Sequence, residues 1–172
     1  MNFLESLKQL KAFAHQDGAI LALVWIVSFL FTMLLPQSAM GNILTFSTPF
    51  VVTWRLRAFR DYALDGQISY RRALAYSWYT FVYASLIFAL AQYLYIRFYD
   101  SISLVTMMSN SIKAFGATYE QMGINETQMQ ESAKLLTSLT PMELTFLFFT
   151  QNVFIGCILS LITAAFGMKR SR

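Results

Sequence analysis

Charge is what this chain has least of. Of its 172 residues only 13% are Asp, Glu, Lys or Arg, against about 25% in ordinary soluble domains. It has one Cys, Cys157, and one His, His15. A lone Cys forms no intrachain disulfide and no CxxC redox or metal motif, so a disulfide-stapled secreted scaffold is excluded. Zinc and non-haem iron sites need several His, Cys or carboxylates converging, and the sequence offers no such spacing. It also lacks a phosphate-binding loop, a dinucleotide glycine fingerprint, a nucleophile elbow and a zinc-protease helix motif. No cofactor is expected.

What is abundant is apolar. Hydrophobic residues make up 56% of the chain, sixteen of them Phe, and the mean hydropathy is +0.49. A soluble chain of this length has too much surface for its volume to hide so many large side chains. A soluble enzyme and a disordered chain are thereby excluded, and an all-α integral membrane protein remains. The net charge of +4 points to anionic lipid rather than nucleic acid, because the basic residues flank apolar runs.

A hydrocarbon core of ~30 Å is crossed by ~20 apolar residues in a helix. The expected spans are residues 19–35, 40–59, 73–98 and 144–167, arranged as a membrane four-helix bundle in one domain, 1–172. An amphipathic N-terminal segment precedes the first, with Phe3, Leu7, Leu10 and Phe13/Ala14 at helical spacing. The second contains Arg55, Arg57 and Pro49. It is read either as a kinked span with snorkelling arginines or as a re-entrant hairpin over residues 42–58. The third is long enough to tilt or project. The fourth begins at Thr140-Pro141-Met142-Glu143, with an N-cap Thr, a first-turn Pro and a capping-box Glu.

Basic residues orient the spans. With both termini cytoplasmic, Lys8, Lys11, Arg55, Arg57, Arg60, Arg71, Arg72, Lys169, Arg170 and Arg172 lie inside, and Arg97, Lys113 and Lys134 outside. This follows the positive-inside rule better than three spans with the N-terminus outside. The expected location is a bacterial cytoplasmic (inner) membrane. Tyr62, Tyr70, Tyr76 and Trp78 are expected as an inner aromatic belt, and Tyr93, Tyr95 and Tyr99 as an outer one. Residues 100–140 form an outer, periplasmic helical segment: a first helix with Leu104, Met108, Ile112 and Phe115 on one stripe, and a second capped by Asn125 and Gln128, with Met129, Ala133 and Leu136 on its stripe.

Three constellations are candidate sites. Arg55, Arg57, Arg60, Arg71 and Arg72 could contact anionic lipid or phosphate, since guanidinium suits bidentate phosphate recognition; Arg57 and Asp61, one turn apart, can pair. Gln92, Gln151 and Asn152 are an intramembrane polar cluster, acting as helix glue or as a substrate path. Gly156, Ser160 and Ala164 recur every four residues and permit close helix approach, inside the bundle or between copies. No Asp, Glu, Lys or His falls mid-span, which disfavours coupled transport. No catalytic residue and no metal ligand is identified.

The stretch Gln67-Ile68-Ser69-Tyr70-Arg71-Arg72-Ala73-Leu74 leads into the long aromatic span ending Gln92-Tyr93-Leu94-Tyr95-Ile96-Arg97-Phe98. With the Arg55-Leu56-Arg57 pair, the Thr140-Pro141 entry and the basic Lys169-Arg170 end, it resembles the domain of unknown function 4199 family over about residues 14–170. That resemblance implies a small four-span membrane protein from Bacteroidota, without established catalytic residues. An association with membrane glycosyltransferases implies an accessory role. The expected function is a non-enzymatic accessory or scaffold subunit, in contact with lipid and with a membrane protein or a second copy of itself, in envelope glycan or lipid metabolism. The alternative is a small oligomeric transporter, flippase or channel.

Overall fold

The computed structural model describes residues 3–99, 106, 110 and 125–169. Five helices lie among them: α1 Phe3–Leu34, α2 Met40–Ala63, α3 Tyr70–Phe98, α4 Glu126–Ser138 and α5 Pro141–Gly167. The described residues contain no strand, only an isolated antiparallel bridge between Ile68 and Lys169. α1, α3 and α5 are long and apolar enough to cross a membrane. α2 has 24 residues and runs unbroken through Pro49, with no hairpin over residues 42–58. At 1.5 Å per residue it is about 36 Å long, but Arg55, Arg57, Arg60 and Asp61 load its second half with charge.

The amphipathic N-terminal segment is not separate from the first span. Both belong to the single 32-residue α1, about 48 Å long at the same rise. Nothing in the sequence between them breaks a helix except Gly18, which a helix tolerates at a cost of ~1 kcal/mol.

The chain divides into two compact units, Met1–Ala89 with Phe149–Arg172, and Leu90–Phe148. In the first, the core has two apolar clusters. One gathers Leu10 and Ala14 of α1, Leu56 and Phe59 of α2, Ile68, Ala73 and Tyr76 of α3, and Ala164 of α5. The other gathers Leu21, Ala22, Val52, Phe81 and Ala84. Aromatic rings extend the second: Trp25 meets Phe88 edge-on at 5.6 Å, and Phe29 meets Phe88 at 5.9 Å.

Polar side chains hold α1 to α2 away from the charged end. Trp25 Nε1 donates to Thr48 Oγ1 at 2.9 Å. Ser28 Oγ donates to the Gly41 carbonyl at 2.7 Å and lies 2.8 Å from Thr45 Oγ1. Where water is excluded, such bonds join helices whose apolar surfaces gain little by leaving lipid.

The second unit contains α4, and its helix starts follow from local sequence. Gln128 Oε1 accepts from the Asn125 backbone N–H at 3.0 Å. At α5, Glu143 Oε2 accepts from the Thr140 N–H at 2.8 Å while Thr140 Oγ1 accepts from the Glu143 N–H at 3.3 Å. This is the reciprocal capping box the sequence predicts. The predicted stripe at Leu104, Met108, Ile112 and Phe115 lies outside the described residues, as do the side chains of Met129, Ala133 and Leu136.

Candidate functional site

The most strongly built polar group joins α1, α2 and α3 between the two apolar clusters. Asp17 is 1% exposed. Its Oδ1 accepts from Arg55 Nε at 2.6 Å and pairs with Nη2 at 2.6 Å. Its Oδ2 accepts from the Tyr76 hydroxyl. Tyr76 is fully buried, its ring stacked on Phe59 at 4.8 Å and 5°. The Arg55 guanidinium lies 5.5 Å from the Trp54 ring, so its outer side meets an aromatic face.

Each helix supplies its member for a local reason. Leu10, Ala14, Asp17 and Leu21 are all buried residues of α1 and recur at spacings of four, three and four, so one stripe carries them all. A carboxylate on such a stripe is costly unless a cation and donors converge on it. Arg55 supplies the cation and Tyr76 the hydroxyl. The expected inner belt therefore loses Tyr76, which faces the core; Tyr62, Tyr70 and Trp78 stay exposed.

The absence of mid-span ionisable residues also reads differently here. Asp17 stands one residue before the uncharged run of α1, and Arg55 follows the uncharged run of α2. Asp17 is inside the protein and Arg55 is partly buried, although neither interrupts an apolar run. The overlooked signal is the placement of Asp17 on the stripe that Leu10 and Ala14 continue toward Leu21.

Three other arginines of the cluster, Arg57, Arg60 and Arg72, have internal partners too. Arg60 binds Asp61 through Nε to Oδ1 at 2.7 Å and Nη2 to Oδ2 at 3.0 Å. That hydrogen-bonded guanidinium holds the Asp61 carboxyl below the usual carboxylate range. Asp61 thus pairs with its neighbour Arg60, not with Arg57 one turn away. Arg57 Nη2 donates instead to the Phe166 carbonyl at 3.3 Å, and Arg60 Nη1 to the Gly167 carbonyl at 3.2 Å. Two α2 guanidiniums therefore satisfy the last carbonyls of α5, at the negative end of its dipole. Arg72 Nη2 donates to Gln9 at 3.2 Å. Arg71 is exposed and has no hydrogen-bond or ion-pair partner among the described residues.

The loop between α2 and α3 supports this end. Asp65 and Gly66 both have positive φ, 50° and 77°, a turn that glycine takes without steric cost. Beyond it, Ile68 N–H donates to the Lys169 carbonyl at 2.9 Å, and the Ile68 carbonyl accepts from Lys169 N–H at 3.2 Å.

The small-residue ladder serves the protein's own interior. A Cβ at Gly156 would lie 2.6 Å from Phe81 Cβ, and Ser160 and Ala164 are fully buried. The amide cluster is not one environment: Gln92 is buried, Asn152 half-buried and Gln151 exposed. Gln92 Oε1 has no partner among the described residues. Those residues also contain no group of three or more His, Cys, Asp or Glu able to hold a metal ion.

Helices of this length and apolarity, clamped by a buried ion pair, define an all-helical membrane protein. The chain belongs to the family described as Protein of unknown function (DUF4199), whose model matches residues 16–169. That match takes in Asp17, Arg55 and Tyr76. No curated protein and no solved structure matches the chain.

Proposed function

We propose that this protein is a non-enzymatic accessory or scaffold subunit of a bacterial inner membrane, with four spans, both termini cytoplasmic, and a membrane enzyme of envelope glycan or lipid metabolism as its partner. The observation that carries this reading is that most arginines of its basic cluster are committed to partners within the protein. Asp17, Arg55 and Tyr76 engage one another, and Arg57 and Arg60 engage the end of α5. Groups committed to internal partners stiffen a frame and are poorly placed to turn over a substrate. The unbroken α2 supports the fourth span, and the basic residues flanking the spans support the orientation. Capture of the tagged chain after crosslinking in native membranes, followed by mass spectrometry, tests the role. A reproducible membrane enzyme at near-equal stoichiometry is the expected result, and recovery of the chain alone counts against it.

One observation favours a second reading, a small oligomeric transporter, flippase or channel. A buried amide whose Oε1 is unpaired among the described residues, as at Gln92, offers an acceptor to a permeating group. Lipid scrambling or solute flux in liposomes that disappears in Gln92→Leu would support that reading over the first.

A further inference from the structure

Two apolar grooves flank the same stretch of α5, each with an arginine on its wall. The larger, about 450 Å³, runs between α2 and α5 along Pro49, Phe50, Trp54, Arg57, Ile162 and Phe166. The smaller, about 350 Å³, runs between α3 and α5 along Arg71, Leu74, Ala75, Trp78, Cys157 and Leu161. Both volumes fall in the ~300–1,000 Å³ range of ordinary ligand pockets. Their electrostatics are opposite.

In the larger groove Arg57 already donates to the Phe166 carbonyl. An anion there would compete with that carbonyl and approach the negative end of α5. In the smaller groove Arg71 is the second residue of α3. It stands at the positive end of that helix, exposed and without a partner among the described residues. Below it, Leu74, Ala75 and Trp78 continue at helical spacing and present an apolar wall. Tyr70 Oη donates to the Leu161 carbonyl at 3.4 Å, which ties the start of α3 to α5 beside the groove.

We propose that the α3–α5 groove is a binding site for one anionic phospholipid, with its phosphate on Arg71 and an acyl chain along Leu74, Trp78 and Leu161. A cation at one end of an otherwise apolar groove matches a ligand with a single charged end. Guanidinium bonds phosphate through two parallel N–H donors, and the adjacent helix terminus adds attraction of the same sign. The site does not depend on which leaflet faces the cytoplasm.

The test uses the full chain in mild detergent, supplemented with either palmitoyl-oleoyl phosphatidylglycerol or the zwitterionic phosphatidylcholine of equal chain length, and read by native mass spectrometry. Wild-type protein retains phosphatidylglycerol roughly five- to tenfold more than phosphatidylcholine, the scale of one charge-assisted contact. Arg71→Gln abolishes the preference, Arg71→Lys keeps part of it, and Arg57→Gln leaves it intact. Because Arg71 has no partner to lose among the described residues, circular dichroism and the thermal midpoint of Arg71→Gln stay at wild-type values, which separates loss of binding from loss of fold. Cys157, the chain's single thiol, reports on the same groove: its alkylation by N-ethylmaleimide slows with phosphatidylglycerol and not with phosphatidylcholine. Equal phosphatidylglycerol retention by wild type and Arg71→Gln overturns the proposal. So does efficient oxidative Cys157–Cys157 crosslinking in membranes, which would mean that a second copy covers the groove.

Discussion

Helix α2 carries two ion pairs less than two turns apart, and their shortest N–O distances are nearly the same. Arg55 meets Asp17 at 2.6 Å, and Arg60 meets Asp61 at 2.7 Å. The Asp17 side chain is 1% exposed and the Asp61 side chain 52%. The first pair joins residues 38 apart in the sequence, the second joins neighbours. Distance therefore says little about what each contributes. A buried carboxylate cannot recover its hydration if its partner leaves, so its pair is conditional on every member remaining. An exposed pair exchanges partners with water and salt, and its net contribution is small. In this protein the interior pair fixes how three helices meet, and the rim pair trims the end of one.

The largest effect should come from unbalancing the interior. Asp17→Ala leaves Arg55 and the Tyr76 hydroxyl without their acceptor and should cost ~3–5 kcal/mol, seen as a large loss of thermal midpoint in detergent. The double variant Asp17→Leu/Arg55→Leu should be clearly more stable than Asp17→Ala, because removing both charges of a buried pair removes the desolvation penalty as well. Equal losses in single and double variants would mean that the pair is not desolvated and would dissolve the contrast with the rim.

Packing in the same interior gives the next effect. Gly156→Ala places a methyl group against Phe81 Cβ and Cγ and should cost ~1–3 kcal/mol through overpacking, read as a lower thermal midpoint. A neutral Gly156→Ala would show that α5 can move away from α3 freely. At the start of α5, Thr140→Ala removes the exposed capping hydroxyl and should cost ~0.5–2 kcal/mol, measured by the same unfolding transition.

The smallest change is expected at Asp61. Its carboxyl sits below the ordinary range in the folded chain because Arg60 hydrogen-bonds it. Its contribution is therefore present above the unfolded-state carboxylate pKa and is lost as the pH falls through the folded one. Arg60→Gln should move the Asp61 titration upward by carbon-detected NMR and flatten this weak acid dependence. An unchanged titration would show that the bidentate pair does not persist in solution.

How legible these features are in the sequence follows from the range of the interaction. The Thr140–Glu143 box, the Asn125–Gln128 cap and the Asp65-Gly66 turn are set within four residues, and all can be read directly. The three apolar helices follow from composition. The destinations of the arginines do not, because each depends on a distant element: Arg55 on α1, Arg57 and Arg60 on the end of α5. Local spacing favours an Arg57–Asp61 pair, yet the Phe166 carbonyl, 109 residues away, takes Arg57. The ladder at Gly156, Ser160 and Ala164 marks close approach but not its partner. Asp17 sits on a buried stripe but two residues before the apolar span at 19–35, so span composition alone does not reveal it.

The backbone bridge between Ile68 and Lys169 has a consequence for the order of assembly during synthesis. The clamp of α1, α2 and α3 can form as soon as Tyr76 has left the ribosome, whereas the place of α5 stays vacant while the following sixty or more residues are made. Until Phe166 and Gly167 arrive to receive Arg57 and Arg60, and Lys169 to pair with Ile68, the first three helices hold an open seat lined by Phe81 and Ala73. Closing that seat is the last event in building the first unit, so a chain interrupted after α4 should display a latched but unfinished frame to the membrane's quality-control proteases.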